Sequence, residues 1–147
     1  MPDSGYRLDE LTYDNEFICF ELVSSGKQEG VFASWEEGKR SRSYEKLMIV
    51  VGKIKEYGPL VSSRLYLRCL DSEVDLFEIK GYDGAHRVMC VLRDEAVLLF
   101  HFKGHSGTGS IPPKDIKKAR RLAKIAIGLL DEADERKPEE RGSDESD

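Results

Sequence analysis

Lys80, Arg87, His101 and Lys103 are the side chains best able to act together on an anion. Three cations and an imidazole suit phosphate chemistry. Arginine and lysine hold anionic oxygens, and histidine exchanges a proton near neutral pH. Brought together they repel one another unless an anion sits among them. Taken singly, charges at strand ends are ordinary surface residues, so only convergence gives the group meaning. A second group, Lys114, Lys117, Lys118, Arg120, Arg121 and Lys124, sets six cations within eleven residues against one acid, Asp115. That row is either a solvated helix face or a surface that follows a phosphate backbone or meets an acidic partner.

The elements that would position the first group are three apolar runs between Val74 and Lys103. They are separated by Gly-Tyr-Asp-Gly-Ala and by Arg-Asp-Glu, and predict a three-stranded antiparallel meander. Alternation assigns Phe77, Ile79, Val88, Cys90, Leu92, Leu98, Phe100 and Phe102 to one apolar face, the core. Glu78, Lys80, Arg87, Met89, Val91, Leu99, His101 and Lys103 fall on the other. The strands run up, down and up, which brings Lys80, Arg87, His101 and Lys103 to one edge.

Around the meander, residues 1–15 show no clear period and predict a loose or strand-like lead-in. Glu16 to Val23 is rich in β-formers and predicts a first strand that joins the sheet. Val31 to Glu37 predicts a short helix burying Phe32 and Trp35. Ser43 to Tyr57 predicts a longer one, with Tyr44, Leu47, Met48, Val51 and Ile54 at helical spacing and Gly58-Pro59 after it. Leu60 to Leu70 suggests a connector or edge strand. Gly104 to Ser110 is a small-residue loop with neither a Walker pattern nor a dinucleotide fingerprint. Lys114 to Glu132 predicts a last helix that starts after proline and buries Ile116, Ala119, Leu122, Ala123, Ala126, Leu129 and Leu130. From Asp134 the composition is that of a disordered acidic tail.

Length and charge agree with one domain, 16–132, between a lead-in and a tail over 133–147. The net charge is −5, but residues 1–30 and 131–147 carry −5 and −6, and the stretch between them +6. A basic middle lies between acidic ends. The acidic tail is expected to fold over the basic surface and weaken its affinity for a phosphate backbone at low salt. The odd count of cysteines, Cys19, Cys69 and Cys90, without Cys-x-x-Cys spacing, reads as reduced thiols in a cytoplasmic protein. No signal peptide or membrane span is legible, and no metal or other cofactor is called for.

Leu76-Phe77-Glu78-Ile79-Lys80, His86-Arg87-Val88, Leu98-Leu99-Phe100-His101-Phe102-Lys103 and Ile111-Pro112 through Ile116 and Ala119 follow one another in an order that resembles the RelE/HigB superfamily. These are toxins of type II toxin-antitoxin systems, and the likeness is to the phage-derived HigB-like branch. Tyr57-Gly58-Pro59-Leu60 is similar to the family's break after its second helix. The resemblance covers roughly 16 to 130. It implies an α+β, RelE-like fold: a small antiparallel-dominated sheet of about four strands, two N-terminal helices and one C-terminal helix. It also implies a metal-independent, ribosome-associated mRNA endoribonuclease that inhibits translation and is silenced by a helix-turn-helix antitoxin.

In that chemistry a 2′-hydroxyl attacks the neighbouring phosphorus, and the enzyme stabilises the added charge and protonates the leaving oxygen. By resemblance Arg87 braces the phosphate, and Lys80 and Lys103 act as cations or proton carriers. Glu78 pairs with Lys80 or Arg87. Where relatives carry a run of lysines, this chain has Lys103-Gly104-His105, so His101 and His105 are the candidate replacements. Tyr82 and His86, beside the hairpin turn, could stack on a base. With Lys114, Lys117, Lys118 and Arg121 they form the candidate RNA-binding set. The thinned basic loop favours a second reading, a catalytically weakened or inactive relative that binds RNA or a protein.

Overall fold

A computed structural model describes residues 5–37, 41–57, 67–80, 86–103 and 112–145. The chain opens with a hairpin in which β1 (Tyr6–Tyr13) and β2 (Glu16–Ser24) pair antiparallel. Asp14 and Asn15 turn it, both at positive φ, 56° and 63°. Two successive left-handed residues give a turn whose twist matches the strands, and Asp and Asn tolerate that conformation. Arg7 ties down the other end. Its Nε donates to Asp9 at 2.8 Å and its Nη atoms donate to the carbonyls of Ser24, Ser25 and Gln28. The lead-in is thus an edge strand whose apolar period is obscured by Asp9 and Glu10. Charge on an outer strand discourages pairing with a foreign sheet.

Two helices follow, α1 (Val31–Glu37) and α2 (Ser41–Tyr57), then four strands: β3 (Leu67–Asp71), β4 (Leu76–Ile79), β5 (His86–Leu92) and β6 (Ala96–Lys103). A single turn of 3-10 helix, Ser72–Val74, joins β3 to β4. The last helix, α3, is Pro113–Glu145. β4, β5 and β6 form the antiparallel meander, and the full sheet runs β1-β2-β6-β5-β4-β3. β2 lies parallel to β6.

The expected architecture is corrected here. The sheet is mixed and six-stranded, where the RelE-like expectation had about four. Its first two helices follow a hairpin and do not begin the fold. The two additional strands, β1 and β3, are the edges. Edge strands bear fewer buried side chains, and their apolar alternation is correspondingly weak.

The second correction concerns the core. Both faces of the sheet are covered. Ile79, Val88, Cys90 and Leu98 pack with Phe32 of α1 and Tyr44, Leu47, Met48, Val51 and Ile54 of α2. Leu76, Met89, Val91, Val97 and Leu99 pack under Ala119, Leu122, Ala123, Ala126 and Leu130 of α3. The face assigned to a binding site is largely a second core, because the apolar stripe of α3 needs one to bury. The Tyr44 hydroxyl donates to the Thr12 carbonyl at 2.6 Å and fixes α2 on the first hairpin.

α3 continues helical to Glu145, through the stretch whose composition suggested a disordered tail. Glu, Lys and Arg there are good helix formers, and the helix continues past Pro138 and Gly142, which are poor ones. At 33 residues it is about 50 Å long. Trp35 and its expected burial lie outside the described side chains.

Cys19 and Cys90 are buried, which pushes both thiols far above their usual range, whereas Cys69 on β3 is exposed. A thiolate-specific reagent at pH 8 is expected to label one cysteine quickly and the other two only on unfolding. Labelling of Cys90 in the folded protein, located by mass spectrometry, would contradict the packing described.

Candidate functional site

Arg87 lies on β5 beside Met89 and Val91, on the α3 side of the sheet. Glu78 on β4 shares that side, and the two side chains meet: Arg87 Nη1 donates to Glu78 Oε2 at 3.1 Å. Arg68 of β3 approaches the other carboxylate oxygen, Nε to Oε1, at 3.6 Å. Glu78 is fully buried, the Arg87 side chain is 17% exposed and that of Arg68 45% exposed. A buried carboxylate between two guanidiniums is thus the centre of this part of the molecule. The expectation that Glu78 pairs with a neighbouring cation holds, with Arg87 as the partner. Lys80 follows the end of β4 and is half-buried.

His101 stands apart from this group. Between Met89 and Cys90 the β5–β6 register shifts: Met89 lies opposite Phe100, Cys90 opposite Leu98, and Leu99 is the additional residue. A slip of one residue turns the following side chains over. Phe100 therefore joins Leu99 on the α3 side, and His101, opposite Val88, faces α1 and α2. Its ring meets the edge of Phe32 with centroids 5.8 Å apart. The sheet thus separates Arg87 from His101, although strict alternation would have united them. Lys103 ends β6 with its backbone opposite His86. The side chains of Lys103 and His86, and all of Tyr82 and His105, lie outside the described residues.

The second basic group stays together. Lys114, Lys117, Lys118, Arg120, Arg121 and Lys124 are all exposed on α3, over the buried Ala119, Leu122 and Ala123. Lys118 is partly held, its Nζ 4.5 Å above the ring of Phe100. Arg120 donates to Asp71 at 2.8 Å, which pins the helix to the end of β3. Among the described residues, it is the one member of the six in an ion pair. Farther along, Arg93 bridges Asp75 and Asp131 at 3.0 and 3.1 Å.

Sequence reasoning passed over Glu21. It lies on β2 and is 1% exposed. It caps α1 from the sheet, accepting from the backbone N–H groups of Phe32 and Ala33 at 3.1 Å each. These are unpaired donors at the start of a helix, where negative charge is also favoured. No local motif announces the cap, because acceptor and donors are eleven and twelve residues apart. Burial raises the Glu21 pKa, the two N–H groups lower it, and the charges of Asp9 and Glu29 raise it, with a net rise. An acid whose folded pKa is raised contributes stability fully below its unfolded pKa and loses it as pH rises through the folded one. The stability of the protein relative to a Glu21→Gln variant is accordingly expected to fall as the pH rises above the ordinary carboxylate range of about 4, as read from urea unfolding. A difference that grows with pH would contradict the assignment.

Among the described residues, no group of three or more His, Cys, Asp or Glu could hold a metal ion. Nor is any helix there long and apolar enough to cross a membrane. No protein-family model matches the chain, and no curated protein matches it either.

Proposed function

We propose that the chain is a non-catalytic RNA-binding domain that takes a sugar-phosphate backbone along the outward side of α3. The observation that carries this is the exposed row Lys114, Lys117, Lys118 and Arg121. Spacings of three and four residues keep these cations on one side of a rigid helix that is anchored through its apolar stripe. A row of fixed cations on a rigid support neutralises successive phosphates and releases their counterions, without reading sequence. Phe100 beneath Lys118 adds an aromatic surface at the edge of the row.

The cleaving alternative, a toxin-like ribonuclease using Lys80, Arg87, Lys103 and the histidines, draws on the family-like motifs. Against it, the planar fork of Arg87 is directed at Glu78, and His101 faces away from that pair. A labelled RNA incubated with the purified chain in chelator, from about pH 5 to pH 9, separates the two readings. The expected outcome is a retarded complex with intact RNA at every pH. Metal-free cleavage that is lost on Arg87→Lys, with folding retained, would reverse the choice.

A further inference from the structure

The charges on α3 are arranged against the stability of the helix that bears them. Cations occupy its first third, where the helix dipole is positive, and acids dominate its last third, where the dipole is negative. Along one stripe the neighbours also repel: Lys117, Arg121 and Lys124 follow one another at spacings of four and three, and Glu132, Glu135 and Glu139 at three and four. Between the two sets lies Gly128. Lys124 and Glu132 are four residues either side of it, Arg121 and Glu135 seven, Lys117 and Glu139 eleven. At 100° per residue all seven positions share one face of the helix. That face lies opposite the buried stripe of Ala119, Leu122, Ala126 and Leu130.

Among the described residues, nothing packs against Gly128. It is exposed, a Cβ there would meet nothing within 4 Å, and its φ is not positive. Glycine inside a helix is a local weakness. Where two helices cross, however, it lets their backbones approach closely.

We propose that a second copy of this chain docks antiparallel on α3, crossing at Gly128. A two-fold axis through that residue places Lys124 opposite Glu132 of the other copy and Arg121 opposite Glu135, twice each. Lys117 would meet Glu139, but Pro138 lies between Glu135 and Glu139 and interrupts the helical hydrogen bonding there, so the inner pairs carry the interface. Arg121 and Lys124, and Glu132 and Glu135, which repel along each helix, then each gain an opposite charge across the interface. Within one helix Glu132 lies about 12 Å along the axis from Lys124, and Glu135 about 21 Å from Arg121, so the acids that meet these cations come from another chain. The pairing stands on this charge pattern whether or not RNA binds. It covers Lys117 and Arg121, so dimer and RNA would compete for them.

Sedimentation equilibrium of the full chain at about 50 mM and 500 mM salt tests this. A dimer at the lower salt that dissociates at the higher is expected. Two variants make the test specific. Arg121→Glu with Lys124→Glu gives an acidic stripe, and Glu132→Lys with Glu135→Lys a basic one. Each variant alone is expected to be monomeric, and an equimolar mixture to form a heterodimer. Circular dichroism establishes that both are folded. A wild-type chain that is monomeric at low salt, a dimer indifferent to either reversal, or folded variants that fail to associate when mixed would each overturn the proposal.

Discussion

Replacing Glu78 by alanine is expected to lower folding stability by about 3–5 kcal/mol, the usual result of removing one partner of a buried ion pair. The cause is what remains. Arg87, 17% exposed, would be left facing Met89 and Val91 without a counterion. Arg68 adds little to this figure, since at 45% exposure water screens its share. Glu78→Gln should lie between alanine and wild type, because the amide oxygen can still accept from Arg87. Glu78→Leu with Arg87→Met should recover most of the loss, since an apolar pair of similar volume leaves no charge stranded. Urea unfolding at pH 7 measures all three, and a loss below about 1 kcal/mol for Glu78→Ala would show that the pair is solvated. The pairing also governs how activity data are read. Arg87→Ala would strand the Glu78 carboxylate, so a loss of function in that variant identifies a reacting residue only if folding is measured beside it.

Gly30→Ala is expected to cost about 1–3 kcal/mol, the penalty of leaving buried polar groups without their hydrogen bonds. A Cβ at Gly30 would overlap the Glu21 carboxylate. A flexible carboxylate usually moves aside cheaply, but this one is buried and held by the N–H groups of Phe32 and Ala33. Either it retreats and uncaps α1, or α1 shifts and Phe32 leaves its place in the core. Because the clash is with one side chain, Glu21→Ala should remove it. The double variant is then expected to lose clearly less than the sum of the single losses, a coupling measurable by a double-mutant cycle. Strict additivity would mean that Gly30 acts through its backbone alone.

These two sites show what the sequence could and could not convey. The meander from Leu76 to Lys103 was legible because its runs are separated by short polar breaks, and α2 because its apolar residues recur every three or four positions. The bulge at Leu99 was not. Ala96 to Phe100 is apolar at every position because β6 is covered on both faces, so alternation carries no trace of a one-residue slip. That slip decides which side His101 takes, and the four-residue convergence read from the sequence depended on it. β1 was hidden by Asp9 and Glu10, and Glu21 by the distance in sequence between a carboxylate and the helix it caps. The basic row on α3 came through intact. It depends only on helical period and a proline start, both local.

The affinity of the full chain for a labelled single-stranded RNA, measured against salt concentration, tests the binding role of that row most directly. At protein concentrations low enough to keep the chain monomeric, four phosphates neutralised by Lys114, Lys117, Lys118 and Arg121 predict a slope near −2.8 in log affinity against log salt, about 50-fold weaker binding between about 50 and 200 mM. Reversing Lys117, Lys118 and Arg121 to glutamate should flatten the slope and abolish most of the affinity while leaving the fold unchanged. An affinity indifferent to salt, or to that triple reversal in a folded protein, would contradict it.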